Sequence, residues 1–244
     1  MEILGYSERG ILNSLFFEIR GHSDTLHVIN EFLSEISYPY RDVQLEAKDV
    51  AILIEQSFSD FGDADAVLLI DSEKGKQTIF IEAKVKTWHR HEWLIEEEYK
   101  RFKDGIEKNK VSSSNLFTQL YHKMRLFEEM RCDWECFRDS EINFPTWSSK
   151  SPRKIGGNEV VLGAVKKLSG YLDEAFYISI VPDSSSNLRI FFEDILKSSL
   201  PDEIKENDVR GWGYIAWEKV EKFCKEFNLT ETLRVFEFNR GQIY

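Results

Sequence analysis

The chain has 244 residues, 42% of them hydrophobic, with 18 Phe and 6 Trp. This composition excludes an intrinsically disordered chain, the length suffices for one large domain, and no apolar run approaches the roughly 18 residues of a membrane span. The net charge of −11 counts against a nucleic-acid partner, although local basic patches can still bind phosphates.

Helical and strand patterns follow one another in the first half of the chain. Ser7 is a predicted N-cap, and a second helix is expected from about Asp24 to Ser34. Residues 50–58 predict a strand, and turn residues separate the next two strands, 64–70 and 78–86. Three consecutive strands after a helix predict an α-β-β-β core. The apolar stripe of the first helix comprises Ile11, Leu12, Leu15, Phe16 and Ile19.

The second half of the chain is predicted to be mainly helical. Residues 88–110 have a highly charged helical pattern that could cover the strands as a lid, and residues 112–115 are expected to cap a long helix. Residues 139–157 are polar and are the best candidate for a loop or flexible segment. The remaining predicted elements are helices at 159–168, 190–197 and 217–227, and strands at 175–181, 214–216 and 233–238.

An acidic residue begins one predicted strand, and a Glu-x-Lys pair lies in the next. Glu82 and Lys84 are two residues apart and therefore share a face, which Asp65 reaches if the two strands form a hairpin. Carboxylates and lysines are rarely buried unless they are paired or bind a metal. The three residues therefore predict a divalent-cation site suited to phosphodiester hydrolysis. The alternative is a surface hairpin with cross-strand ion pairs.

These motifs resemble those of the PD-(D/E)xK nuclease superfamily. Asp65 and the pair Glu82-x-Lys84 match its signature, with Ala64 where Pro is common, and residues 7–15 resemble the opening helix of Holliday-junction resolvase-like members. The resemblance covers about the first 125 residues. It implies an α/β fold with a restriction-endonuclease-like αβββαβ core, in which helices flank a central mixed sheet.

The resemblance also implies how the chain is organised. We expect a single domain over residues 1–244, with helical insertions. Its core would comprise about 1–131 and 159–182, and a C-terminal α/β extension would comprise about 183–244. The N-terminus carries no secretion signal and the three cysteines favour a reducing compartment, so we expect a cytoplasmic protein.

The function that the resemblance implies is hydrolysis of DNA by a Mg²⁺- or Mn²⁺-dependent nuclease in defence or repair. Glu8, Asp65 and Glu82 would be catalytic residues and metal ligands. Lys84 would orient the attacking water or neutralise developing charge. Glu8 is preferred to Glu18 as the helix acid because it lies in register with the apolar stripe.

Three further residues are candidates for accessory roles. Asp63 competes with Asp65 or assists it, and Arg9 follows Glu8 in the Glu-Arg pair of the opening helix. Gln119 is similar to a Gln motif of some members, although Lys123 stands where a Tyr is often seen, and a solvent-facing Gln explains the position equally well. The predicted phosphate contacts are Lys86, Arg90, Lys150, Arg153 and Lys154.

Other functions remain open. The chain could be a catalytically inactive nucleic-acid-binding module with the same fold, or an unrelated α/β protein. A zinc set from His89-x-His91 and Cys132-x-x-x-Cys136 lacks a recognised ligand spacing. No membrane partner is expected. The sequence permits a homodimer.

Overall fold

Five strands form one mixed sheet in a computed structural model that describes residues 4–86, 92–148, 150–202 and 204–243. The order across the sheet is the order along the chain; β1, β2 and β3 are antiparallel, and β4 and β5 continue the sheet in parallel. The predicted α/β class, with a central mixed sheet flanked by helices, is confirmed. The strands are β1 (Ala47–Ser57), β2 (Asp63–Ser72), β3 (Gly75–Ala83), β4 (Glu174–Val181) and β5 (Trp212–Ala216).

Helices cover both faces of the sheet. One face packs against α1, α2, α8 and α9, and the other packs against α3, α4, α6 and α7. Because β2 and β3 are buried on both faces, they appear in the sequence as nearly continuous apolar runs. The helices are α1 (Ser7–Gly21), α2 (Thr25–Ser34), α3 (Ile95–Glu107), α4 (Leu116–Cys132), α5 (Trp134–Phe137), α6 (Glu159–Leu168), α7 (Ser185–Ile190), α8 (Trp217–Glu226), α9 (Thr230–Phe238) and α10 (Arg240–Ile243).

The two edge strands of the sheet, β5 and β1, differ in their backbone pairing. At β5, Ser37 forms an isolated antiparallel bridge with Tyr214, and each backbone N–H donates to the other's carbonyl at 3.0 Å. At β1, the pairing with β2 shifts register between Ala47 and Asp49, and the exposed Lys48 lies at this irregularity. None of the helices in the described residues combines the length and apolarity that a membrane span needs.

Two predictions at the ends of the chain are wrong. Residues 233–238 form the end of helix α9 and not a strand, because Thr232, Val235 and Phe236 are buried at helical spacing while Phe238 is exposed. Ser7 is the first residue of α1 and not its N-cap. Its backbone N–H donates to Asn239 Oδ1 at 2.9 Å, so a tertiary contact satisfies a group that a cap would otherwise satisfy.

Residues 139–157 are irregular, as predicted, but the described part is anchored and not loose. Phe144, Trp147 and Ile155 are buried in the core, and Ile142 forms a backbone bridge with Arg153. The short helix predicted at 190–197 begins earlier, with α7, and continues through a π-helical turn at Phe191–Leu196. The anchoring of residues 139–157 matters because this segment lies against the turn that precedes β2.

Candidate active site

Two acidic residues meet where the β2–β3 hairpin ends. The pairing of Ala66 with Ile81 places Asp65 beside Glu82 on the face covered by α4, since antiparallel partners point to the same side. The Ala83 backbone N–H donates to Asp65 Oδ2 at 2.8 Å, which fixes the carboxylate against β3. Asp65 is 9% exposed and Glu82 is 0% exposed. The predicted convergence of these two carboxylates is therefore present in the structure.

Burial dominates the electrostatics of both carboxylates. It raises the pKa of Glu82 to about 7, against the lowering effects of Lys123 and Lys84. Burial also raises the pKa of Asp65, partly offset by the Ala83 N–H and Lys84. Neither oxygen of Glu82 accepts a hydrogen bond from the described residues. An uncompensated buried carboxylate is costly, so this position favours a cation beside it.

A buried lysine that we had not assigned to the site supplies one such cation. Lys123 on α4 is 0% exposed, and its Nζ lies 3.2 Å from Glu82 Oε1 in an ion pair that lacks hydrogen-bond alignment. Nζ also donates to the backbone carbonyls of Phe61 and Asp63. One sequence signal points to it: Lys123 lies four residues after Gln119 and three after the buried Leu120, so the three residues share a side of α4.

Lys84 lies just beyond the end of β3. Its backbone carbonyl accepts a hydrogen bond from Trp217 Nε1 at 2.8 Å, and its N–H donates to the Ile180 carbonyl at 2.9 Å. The side-chain Nζ donates a short hydrogen bond to Gln119 Oε1. Gln119 therefore faces the site and not open solvent, and it orients the lysine that the sequence predicted to be catalytic.

The start of α1 brings Glu8 and Arg9 towards the two carboxylates. Arg9 Nε lies 3.8 Å from Asp65 Oδ1, and the charge of Glu8 contributes to the raised pKa of Asp65. Glu18 serves elsewhere: its carboxylate accepts hydrogen bonds from the backbone N–H groups of Glu231 and Thr232 at the beginning of α9. The structure therefore places Glu8, and not Glu18, near the candidate site.

Asp63 differs from Asp65 in position and contacts. Its side chain is exposed at the first residue of β2, while its backbone carbonyl accepts a hydrogen bond from Lys123 at 2.9 Å. Asp63 and Asp65 both line a cavity of about 370 Å³ beside Gln119. This geometry suits Asp63 to an accessory role better than to that of a buried metal ligand.

A second cavity is lined by Lys84. It measures about 870 Å³ and is lined by Glu8, Lys84 and Lys86, with Glu97 and Arg101 contributed by α3. Ser114 lines both cavities, which together border the strand ends; we call this pair the active-site groove. Helix α3 is docked as a wall of the groove, because the Ile95 N–H donates to Asp183 Oδ2 at 2.9 Å.

The residues predicted to contact phosphate differ in their exposure and in their partners. Arg153 is 4% exposed and donates to Ser148 Oγ and the Asp60 carbonyl, so most of its donors are used within the fold, although it lines the smaller cavity. Lys150 and Lys154 remain accessible, although Lys150 Nζ lies 2.5 Å from Asp60 Oδ1. Lys86 lines the groove. Arg90 lies outside the described residues.

The residues present fit a divalent ion held by few protein ligands. Among the described residues, no group of three or more His, Cys, Asp or Glu side chains is arranged to hold a metal. Mg²⁺ commonly binds through one or two carboxylates, several waters and a substrate phosphate. Asp65 and Glu82, with unsatisfied buried oxygens on Glu82, match that requirement. For zinc, Cys132 and Cys136 are exposed free cysteines, and both histidines lie outside the described residues.

Comparisons with known proteins add no relative. No protein-family model matches the chain, and no curated protein or solved structure is similar to it.

Proposed function

We propose that this chain is a metal-dependent nuclease that hydrolyses DNA phosphodiester bonds. The observation that carries the proposal is the buried Glu82 carboxylate, which accepts no hydrogen bond yet lies beside Asp65 and Lys84. An unsatisfied buried carboxylate is suited to a cation, and its neighbour Asp65 lines the groove from which a cation could reach it. The chain order α1, β1, β2, β3, α4, β4, with α2, α3, α5 and α6 as additional helices between these elements, also supports the proposed restriction-endonuclease-like αβββαβ core.

In the proposed mechanism, Asp65 and Glu82 hold Mg²⁺ or Mn²⁺, with Glu8 as a third ligand directly or through water. The bound ion would polarise the phosphate and lower the pKa of a bound water. Lys84, held by Gln119, would orient the attacking water or neutralise charge on the phosphate. Arg9, close to Asp65, would contact the phosphate backbone from the helix side.

A second candidate is an inactive nucleic-acid-binding module. The ion pair between Lys123 and Glu82 favours it, because an ammonium already compensates the buried carboxylate. The two proposals differ in what happens when a divalent ion is added. A nuclease cuts DNA in Mg²⁺ or Mn²⁺, whereas the module binds DNA and leaves it intact.

A cleavage panel separates these proposals. We expect the chain to cut at least one of linear, circular, branched or single-stranded DNA in Mg²⁺ or Mn²⁺, and not in chelator. Lys84→Ala should lower the rate at least ~100-fold, the order of loss for a group acting on the reacting atoms. Lys222→Ala, which removes an exposed lysine of α8, is the control.

Two results would count against the nuclease. Cleavage by Lys84→Ala at the rate of the unmodified chain would refute the assigned mechanism. Binding of the panel in Ca²⁺ with no cleavage in either catalytic ion would favour the inactive module.

A further inference from the structure

Three oxygen atoms from separate parts of the chain surround the Lys123 ammonium. Nζ donates to the carbonyls of Phe61 at 3.1 Å and Asp63 at 2.9 Å, and it lies 3.2 Å from Glu82 Oε1. An ammonium has three protons, so three oxygens at these distances nearly saturate it. Carboxylate and backbone carbonyl oxygens are also the ligands that hard divalent cations take. The same oxygen set would therefore suit a metal ion.

We propose that the Lys123 ammonium permanently occupies a cation position formed by Glu82 and these two carbonyls, so that the chain binds one divalent ion and not two. The inference rests on the proposed function, because it assigns the stoichiometry of the same site. Lys123 is then a positioning residue. It pairs with Oε1 of Glu82, so that Glu82 and Asp65 together would hold the single ion.

The turn before β2 keeps the carbonyl oxygens in place without a metal. Gly62 has a φ of 80°, a conformation that favours glycine, and a Cβ there would lie 3.5 Å from Lys123 Nζ. Asp60 in the same turn accepts hydrogen bonds from Lys150 Nζ and the Lys154 N–H. The oxygen positions are thus set by the fold, and a cation of either kind meets a preformed arrangement.

Burial explains why a tethered cation is suited to this position. A carboxylate at 0% exposure has lost its hydration, and the two carbonyls need donors as well. A covalently attached ammonium donates to both carbonyls and balances the charge of the carboxylate at every metal concentration. A divalent ion would compensate these oxygens only when it is bound, and the turn before β2 would then depend on the metal.

Counting bound Mn²⁺ tests the inference without measuring cleavage. The free Mn²⁺ signal in electron paramagnetic resonance gives the number of ions bound per chain. We expect one for the unmodified chain and two for Lys123→Ala, which frees the position. Lys123→Met, which fills the space without a charge, should not gain the second ion. In chelator Lys123→Ala should melt several degrees lower, and Mn²⁺ should raise its Tm more than that of the unmodified chain.

The outcomes separate this inference from the proposed function. Two ions on the unmodified chain, or no additional ion on Lys123→Ala, would overturn the role of Lys123. No ion on the unmodified chain but one on Lys123→Ala would overturn the nuclease metal site and the count of one ion, while supporting the assignment of the Lys123 ammonium to a cation position. If Lys123→Ala does not fold in chelator, Lys123→Ser, whose hydroxyl can donate to the carbonyls, replaces it. Failure of both variants to fold even in saturating Mn²⁺ would also overturn the inference.

Discussion

Asp65 and Glu82 are neighbours with different partners. Asp65 accepts a backbone hydrogen bond from Ala83 and faces Arg9, so part of its charge is compensated at the rim of the groove. Glu82 lies deeper, and its compensation comes from the ammonium groups of Lys123 and Lys84. The Asp65 carboxylate is therefore fixed close to the groove, whereas the protonation state of the deeper Glu82 depends on nearby cations.

The pair Glu8 and Glu18 gives a matched test on one helix. Glu8→Gln should weaken Mn²⁺ binding, because it removes a charge near Asp65, with little change in stability. Glu18→Gln should leave Mn²⁺ binding unchanged but lower the free energy of unfolding by about 1–2 kcal/mol, since its carboxylate accepts N–H groups of α9. Calorimetric Mn²⁺ titration and denaturant unfolding measure the two effects. The reverse pattern would show that the helix acid was wrongly chosen.

His122 predicts a pH dependence of stability. Burial, with the nearby positive charges of Arg153 and Lys123, lowers its pKa to about 2. Below about pH 6.5 the unfolded chain binds a proton that the folded chain does not, so this residue destabilises the fold as the pH falls, by up to about 1.4 kcal/mol per pH unit.

Glu82 acts in the opposite direction between its ordinary pKa of 4.5 and about 7, so the test is a difference between variants. His122→Gln should flatten the acid side of the stability profile measured by urea unfolding. His27→Gln, at an exposed histidine, should not. Parallel profiles for the unmodified chain and His122→Gln would contradict the expectation.

At the scale of elements, the beginning of α1 depends on the end of the chain. Asn239, which follows α9, accepts the Ser7 N–H and donates to the Gly5 carbonyl at 2.9 Å. Gly10 packs against Gly5, and a Cβ on Gly10 would come within 2.3 Å of the Gly5 backbone. This close approach explains a glycine inside a helix, and it fixes the turn of α1 that carries Glu8.

Two glycine substitutions should therefore have opposite effects. Gly10→Ala should destabilise the fold and reduce Mn²⁺ affinity, because the Gly5 backbone must move and Glu8 moves with it. Gly163→Ala, in α6, meets nothing within 4 Å and should stabilise the fold by about 0.5–1 kcal/mol through better helix propensity. Unfolding and Mn²⁺ titration of both variants give the comparison. Equal stabilisation by the two alanines would show that the close approach is unimportant.

At the scale of the whole molecule, charge is the chief obstacle to DNA binding. The net charge is −11, and acidic residues of α3 line the groove beside its basic residues. Lys84 and Lys86 supply positive charge on one side, where Arg101 already pairs with Glu97 and Glu98, and Arg9 contributes on the other side. A short contact centred on the groove suits this distribution better than an extended basic face.

DNA affinity should consequently fall as the salt concentration rises, with a slope set by the small number of phosphates that the groove contacts. Lys86→Ala should reduce the slope of log affinity against log salt by about one unit, measured for a duplex in Ca²⁺. Lys150→Ala with Lys154→Ala should reduce it less per residue, because both lysines already pair with acids. Lys222→Ala is the control. If Lys86→Ala leaves the slope unchanged while the double variant flattens it, the DNA surface lies at residues 139–157.

The sequence predicted an element correctly where residues close together in the chain are enough to determine it. The stripe of α1 is buried as expected, and Asp65 and Glu82 meet because strand alternation and hairpin pairing are local rules. Lys123 was missed because its partners include backbone carbonyls of a turn 60 residues earlier, which no side-chain pattern reports. Residues 233–238 of α9 were predicted as a strand because a short apolar run permits either period.

Arg153 illustrates the same limit from the other side. Its charge and polar neighbours predicted a surface contact, whereas hydrogen bonds to the distant Asp60 carbonyl and to the nearby Ser148 hold it in the interior. Whether an arginine side chain contacts solvent or a backbone carbonyl depends on how the loop that carries it packs against the core. That is a property of the tertiary fold and not of the local sequence.

The bridge between Ser37 and Tyr214 has a consequence for self-association. An incoming strand cannot pair with β5 at this position until the two hydrogen bonds of the bridge are broken. At the opposite edge, the irregular start of β1 carries the exposed charges of Lys48 and Asp49, which disfavour pairing with an identical strand. Both sheet edges thus carry features that oppose growth by strand addition, so a second copy of this chain would meet it more readily through the helical layers.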